Sequence, residues 1–280
     1  YTDDPYHRGI WIEISDSQNK FERHDADMDD SSFDKDRLTL EILKFSKPPT
    51  ASTLHVAFLS ILLNRGVPKD QLEHLVIDYL RYEREQLMEN ITDPVWLRKW
   101  VNERNSLLEE QTRRNDINWG AGLPSLLVEK VILLLESGFV PKKNKYLADC
   151  VQRLVDQHLT RLVISMTIPL GRSCNVWGVA DPTGTLEPGE VHLAFSTTFY
   201  NEKSQESYQY LDKVDVLVAR HPSLRRSDIQ KARAVYKLEL SYLTDVIVFS
   251  SKGRFPLAAK LQGGDYDGDT FWVCWEPDLV

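Results

Sequence analysis

Three aspartates at alternating positions, Asp265, Asp267 and Asp269, stand in the stretch Gly263-Gly264-Asp265-Tyr266-Asp267-Gly268-Asp269, between two runs of strand-forming residues. This juxtaposition constrains the fold more than any other feature. The runs Asp245-Val246-Ile247-Val248-Phe249-Ser250 and Thr270-Phe271-Trp272-Val273-Cys274-Trp275 read as buried strands. The charges between them must therefore emerge where a connection reaches water or a cation, because burying unpaired carboxylates is costly. Alternate side chains of an extended backbone point the same way, and Gly268 permits a turn, so the three carboxylates can converge on one ion. Two carboxylates about 4 Å apart repel by roughly 1 kcal/mol under bulk-water screening and by more in a half-buried loop. A hard divalent cation relieves that repulsion: Mg²⁺ is the expected ligand, with Mn²⁺ as the alternative. The competing reading, a polar Asp-Gly turn, leaves three adjacent charges beside buried strands unexplained.

With 280 residues and 42% apolar content, the chain can bury one large core or two smaller ones. Its net charge of −8 excludes a wholly basic nucleic-acid coat, so contact with a polyanion must be local or bridged by metal. The three cysteines, Cys150, Cys174 and Cys274, are widely spaced and form no disulfide framework, which suits a reducing, intracellular compartment. No apolar run approaches 18 residues and no leader pattern is visible, so no membrane association is expected. The chain opens at Tyr1 and stops at Val280 directly after the acidic loop, like an excerpt of a larger protein.

Ile10, Trp11, Ile12 and Ile14 form a short apolar alternation that reads as a strand, followed by an acidic loop from His24 to Asp36. That loop imitates a calcium loop, but Asp30 occupies the place that needs glycine and Asp36 the place that needs glutamate; it reads as solvated. From about Thr50 to Leu162 the pattern is helical: Ser52–Leu63 closed by Gly66, a helix N-capped by Asp70, another restarting at Asp93-Pro94, then Leu123–Leu135 and Tyr146–Leu162. After Thr160 the period changes. Val163–Met166, Asn175–Val179, Glu190–Phe195 and Val214–Val218 read as short strands separated by turn signals.

Arg220, Arg225, Arg226, Lys231 and Arg233 share a stretch with the single acid Asp228, a local footprint suited to phosphate. Ser227 or Asp228 can N-cap a short helix through Val235, which would make part of that charge a solvated helix face. Arg172 follows a glycine at a strand end and can present its planar fork to a phosphate or ribose. His192 and His221 have no metal-ligand partner at regular spacing and stay unassigned.

Assembled, these elements resemble the catalytic region of the eukaryotic RNA-dependent RNA polymerases of RNA silencing, most nearly the fungal branch. Ser15-Asp16-Ser17-Gln18-Asn19-Lys20-Phe21 is similar to the family's R-P-S-x-x-K-F element, with Ser-Asp in place of Arg-Pro, and Leu63-Asn64-Arg65-Gly66-Val67-Pro68 to its L-N and G-V-P signature. Gly178 to Gly184 followed by Leu186 to Val191 resembles its G-v-x-D-x-t-G-x-L-x-x-G-E-v strand pair. Val218-Ala219-Arg220-His221-Pro222 with Asp228-Ile229 resembles its R-x-P and D-I elements, and Gly264 to Asp269 its metal signature.

The resemblance implies an α+β chain built on a double-psi β-barrel polymerase core. Residues 1–22 would end a first barrel, 23–49 form an acidic loop, 50–162 a helical connector, and 163–280 a second barrel carrying the catalytic loop. It implies Mg²⁺-dependent nucleotidyl transfer, with Asp265, Asp267 and Asp269 as metal ligands and catalytic residues and Lys20 as an opposing catalytic cation. Arg172 and Arg220 would contact nucleotide or RNA. The implied partners are an RNA template and nucleoside triphosphates, with a DNA template and a homodimer left open, in the nucleus or cytoplasm. Two alternatives stand beside it. A DNA-templated RNA polymerase relative would carry Asn-Ala where this chain has Gly263-Gly264, and a dead RNA-binding scaffold would not need an intact triad.

Overall fold

The computed structural model describes residues 44–104, 119–120, 122–165, 168–201 and 204–280. The expected N-terminal strand, the acidic loop from His24 to Asp36 and Lys20 lie outside the described residues. The chain divides into two compact units, one of Leu54–Pro169 and one of Tyr1–Thr53 with Leu170–Val280.

The first unit is helical: α1 (Val56–Arg65), α2 (Lys69–Asn90), α3 (Pro94–Arg104), α4 (Leu127–Glu136) and α5 (Lys145–Ser165), with a two-residue pairing of β2 (Trp119–Gly120) and β3 (Leu123–Pro124). Helix α1 ends at Gly66 in the left-handed region at φ 102°, where its N–H reaches Leu62 and Leu63 carbonyls, as the Gly-x-Pro signal predicts. Asp93 caps α3 by accepting from Val95 N at 2.8 Å. The expected Asp70 N-cap is corrected: Pro68 takes that position and Asp70 lies in the first turn, where a carboxylate still suits the helix dipole. Leu97, Trp100, Val101, Val131, Leu134, Leu147, Val151 and Leu154 form the core of the unit. Glu83 is buried among the helices, where it accepts hydrogen bonds from Trp100 Nε1 and His158 Nε2, each at 3.1 Å, so its burial is compensated.

The second unit is a closed mixed barrel of six strands. β4 (Ile168–Ala180), β10 (Thr270–Cys274), β7 (Val214–Arg220), β8 (Ile229–Ala234), β5 (Glu190–Asn201) and β9 (Val246–Phe249) pair in that order, and β9 returns to β4. The β8–β5 and β9–β4 pairs are parallel and the rest antiparallel. Two strands lie outside the ring: β1 (Ala51–Leu54) adds to β4 and β6 (Glu206–Tyr210) to β5. Closure removes the unpaired edges that would otherwise expose backbone donors and acceptors. Every residue of β9 is buried, as are the last four of β10, with Val191, Leu193, Val216, Val218, Ile247, Phe249, Phe271 and Val273 packed inside. Strands covered on both faces read as continuous apolar runs, which is why these two stand out in the sequence.

Three local expectations are corrected. Val163–Ser165 complete helix α5 rather than starting a strand. The segment after Asp228 is not a helix: a single turn at Arg226–Asp228 leads into strand β8. Ala51–Leu54 is a strand, and the helix expected from Ser52 begins at Val56.

Candidate metal centre

The barrel presents the acidic loop between the short helix α6 (Leu257–Lys260) and β10. Gln262 and Gly263 both adopt left-handed backbone, at φ 59° and 70°, and Gly268 sits at φ 132°; together they fold the loop back onto itself. Its far end is pinned to the barrel, since Gly178 N donates to Asp269 O at 3.0 Å. Gly178 has no room for a side chain: a Cβ there would meet the Phe271 ring at 2.2 Å.

This folding brings one oxygen from each of Asp265, Asp267 and Asp269 within 4.8 Å of one another, with Asp265 and Asp267 exposed and Asp269 half-buried. A hard divalent cation fits this all-oxygen donor set, and the exposed side leaves positions for water and substrate oxygens. Asp269 is held from two directions. Its Oδ1 accepts from Arg220 Nη2 at 2.7 Å, and its Oδ2 accepts from Asp265 N at 3.0 Å. The β7–β10 register places Arg220 opposite Phe271, two residues beyond Asp269, and Arg220 Nη1 also reaches Gln262 O at 3.4 Å. Gly264 makes room for this approach, because a Cβ there would lie 3.0 Å from Arg220 Cδ and 3.3 Å from Asp269 Oδ2. The loop thus gathers three carboxylates at one point, with the Arg220 guanidinium on the half-buried one, Asp269.

Arg220 is thus brought to the triad, and Arg172 is not. Trp275 N donates to Arg172 O, which places Arg172 at the other end of β10 from the loop, about 17 Å along the strand at roughly 3.4 Å per residue. Its guanidinium donates to both oxygens of Glu206, each at 2.8 Å, and to Glu276 at 3.2 Å. The fork expected to meet a phosphate is engaged by carboxylates. Hydrogen bonds from Arg172, then Tyr208 and Ser204, hold the Glu206 carboxyl down at about 2. The basic stretch is divided in the same way: Lys231 and Arg233 share Asp215, at 3.0 and 2.5 Å. Asp228, from the D-I element, accepts from Leu224 N and Arg225 N and so shapes a turn, and Asp181 does the same with Thr183 N and Leu186 N.

Over residues 2–280 the chain matches the family described as RNA dependent RNA polymerase. The chain belongs to this family. Among its relatives, RNA-dependent RNA polymerase 1 of Schizosaccharomyces pombe is 25% identical over 287 residues, covering 98% of this chain and 21% of that protein. A probable RNA-dependent RNA polymerase 2 of Oryza sativa is 29% identical over 159 residues, 53% of this chain and 14% of the relative. Among solved structures, the RNA dependent RNA polymerase QDE-1 from Thielavia terrestris aligns with a TM-score of 0.75 at 38% identity, over 85% of this chain and 26% of that one. The six-stranded ring is therefore the double-psi β-barrel of an RNA-dependent RNA polymerase core, in an α+β chain. The relatives are RNA-dependent RNA polymerases by name, which favours that reading over a DNA-templated relative. The chain spans between about a seventh and a quarter of the length of these three relatives. Among the described residues no helix is long and apolar enough to cross a membrane.

Proposed function

We propose that this chain carries the metal-binding part of the catalytic centre of an RNA-dependent RNA polymerase that makes complementary RNA for RNA silencing. The observation that carries the reading is the convergence of Asp265, Asp267 and Asp269 on a barrel loop in a chain that matches the polymerase family from end to end. Those three residues would hold Mg²⁺, with Mn²⁺ as a substitute, by their carboxylate oxygens. A bound ion there would stabilise charge on the attacking 3′-hydroxyl oxygen and on the leaving pyrophosphate.

The protein's own part is positioning. Arg220 holds the Asp269 carboxylate through Nη2 and the start of the loop through Nη1 on Gln262 O, which keeps a cation beside the place where a nucleotide would meet the metal. The left-handed turn at Gln262-Gly263 and the tie from Gly178 to Asp269 set the loop before substrate arrives. Lys20 is proposed as the opposing cation. Arg172 is assigned here to closing the Glu206 and Glu276 end of the barrel rather than to substrate. The substrates would be an RNA template and nucleoside triphosphates, in the nucleus or cytoplasm. Template-dependent incorporation of labelled nucleotides by the intact protein, on RNA and on DNA templates with and without chelator, tests this. Chelator-sensitive synthesis on RNA is expected, and synthesis that persists after complete chelation would contradict it.

A further inference from the structure

Beside the acidic loop, on the α6 side, the barrel unit holds an open cavity of about 510 Å³ whose chemistry is cationic and amide-rich. Arg225, Gln230, Lys260, Gln262 and Gly263 line it. Three observations point to what it takes. First, most of the basic stretch is already committed: Arg220 to Asp269, Lys231 and Arg233 to Asp215. Arg225 and Lys260 are exposed and, among the described residues, form no salt bridge, so two cations 35 residues apart in sequence are brought to one cavity. Asp228, the carboxylate on the wall, is buried and occupied by the backbone N–H groups of Leu224 and Arg225.

Second, the Gln262 side-chain Oε1 is buried without a hydrogen-bond partner among the described residues. A side-chain amide can turn either its oxygen or its NH₂ to a ligand, so it suits a hydroxyl or a phosphate oxygen. Third, the cavity adjoins the metal loop, since Gly263 lines it and Gln262 supplies the carbonyl that Arg220 contacts while Arg220 holds Asp269. A phosphate seated here would be the neighbour, along a strand or along a triphosphate, of the group at the aspartates.

We infer that the cavity of Arg225, Lys260, Gln230 and Gln262 is a phosphate-binding subsite that tethers the polyanionic substrate beside the metal loop. It rests on the polymerase reading above. The two sources of that chemistry, the backbone of an RNA strand and the triphosphate of a nucleotide, are separated by the test.

The test uses the intact protein, a fluorescently labelled single-stranded RNA and EDTA, so that binding is read without turnover or metal bridging. For the double variant Arg225→Ala/Lys260→Ala, the negative slope of log Kobs against log[KCl] is expected to shrink in magnitude by about 1.4, at roughly 0.7 per lost phosphate contact on a single strand. Arg225→Lys/Lys260→Arg should restore it. A raised KM for nucleoside triphosphate with an unchanged RNA slope would assign the subsite to the triphosphate instead, keeping the phosphate chemistry. An unchanged slope together with an unchanged KM, in a wild-type background that binds RNA, would overturn the inference and leave the polymerase reading intact. A wild-type protein that neither binds RNA nor incorporates nucleotides would overturn both. Should the double variant fail to fold by circular dichroism, the single changes Arg225→Gln and Lys260→Gln carry the same reading, each with a slope change of about 0.7.

Discussion

The two ends of strand β10 each present an arginine to carboxylates, and they do opposite things with the charge. At one end Arg172 meets Glu206 through two parallel hydrogen bonds and Glu276 through a third, beside the aromatic cluster of Phe199, Tyr208 and Trp275. At the other end Arg220 meets one of three converging aspartates. The first arrangement uses the guanidinium fork to its geometric limit and is a clasp between strands. The second brings three carboxylates together at an exposed loop, an all-oxygen donor set that a hard divalent cation fits. An arginine beside an acid is thus not informative by itself. What separates a clasp from a candidate site is whether the carboxylates close on the guanidinium or converge on a common point at an exposed loop.

The largest expected effect belongs to the aspartate end. Asp267→Ala removes a central ligand without touching the core, so nucleotide incorporation should drop by on the order of 10³-fold or more while the far-ultraviolet circular dichroism stays unchanged. Less severe is Arg220→Ala, which frees Asp269 from one of its two restraints. Loss of such an orienting partner should reduce incorporation about 10- to 100-fold, with a raised KM for nucleotide, and steady-state kinetics would show it. Comparable kinetics for Arg220→Ala and Arg172→Ala would break the distinction between the two ends.

The smallest effect is expected at the clasp. Arg172→Ala should cost roughly 1.5–3 kcal/mol in chemical denaturation, the value of hydrogen bonds to charged groups, and should leave the KM for nucleotide where it was. Its pH dependence has a definite sign. The folded Glu206 carboxyl lies at about 2, below its ordinary value of 4.5, chiefly because Arg172 donates to it. The clasp therefore contributes fully above about pH 4.5 and loses its contribution as pH falls toward 2. The stability gap between wild type and Arg172→Ala should narrow over that window, and a gap that widened on acidification would contradict the assignment.

Much of this contrast was legible in the sequence, for particular reasons. The triad could be read because its ligands are local, spaced by two, and flanked by β9 and β10, whose apolar runs are continuous since both faces are buried. The Arg220–Asp269 pair spans 49 residues and arises only from barrel closure, so nothing local announces it, although both partners were singled out separately. Strand β8, Ile-Gln-Lys-Ala-Arg-Ala, follows the N-cap signal of Ser227 and Asp228, which leaves a short helix open as one of its two local readings. Pairing with β7 along its whole length and with β5 at its end decides for the strand. Strand β6 was missed because no residue in it is fully buried, so it carries no apolar alternation. Nothing local distinguishes Arg172 from a phosphate-binding arginine, since Glu206 and Glu276, the acids that engage it, lie 34 and 104 residues away.

The central claim is that the three converging aspartates at the Asp269 end hold a divalent ion and that the Arg172 end does not. Titrating the intact protein with Mn²⁺ and following free ion by electron paramagnetic resonance tests it most directly. Wild type and Arg172→Ala should take up the ion alike, and the triple variant Asp265→Ala/Asp267→Ala/Asp269→Ala should lose that uptake. Equal uptake by the triple variant and wild type would contradict the account.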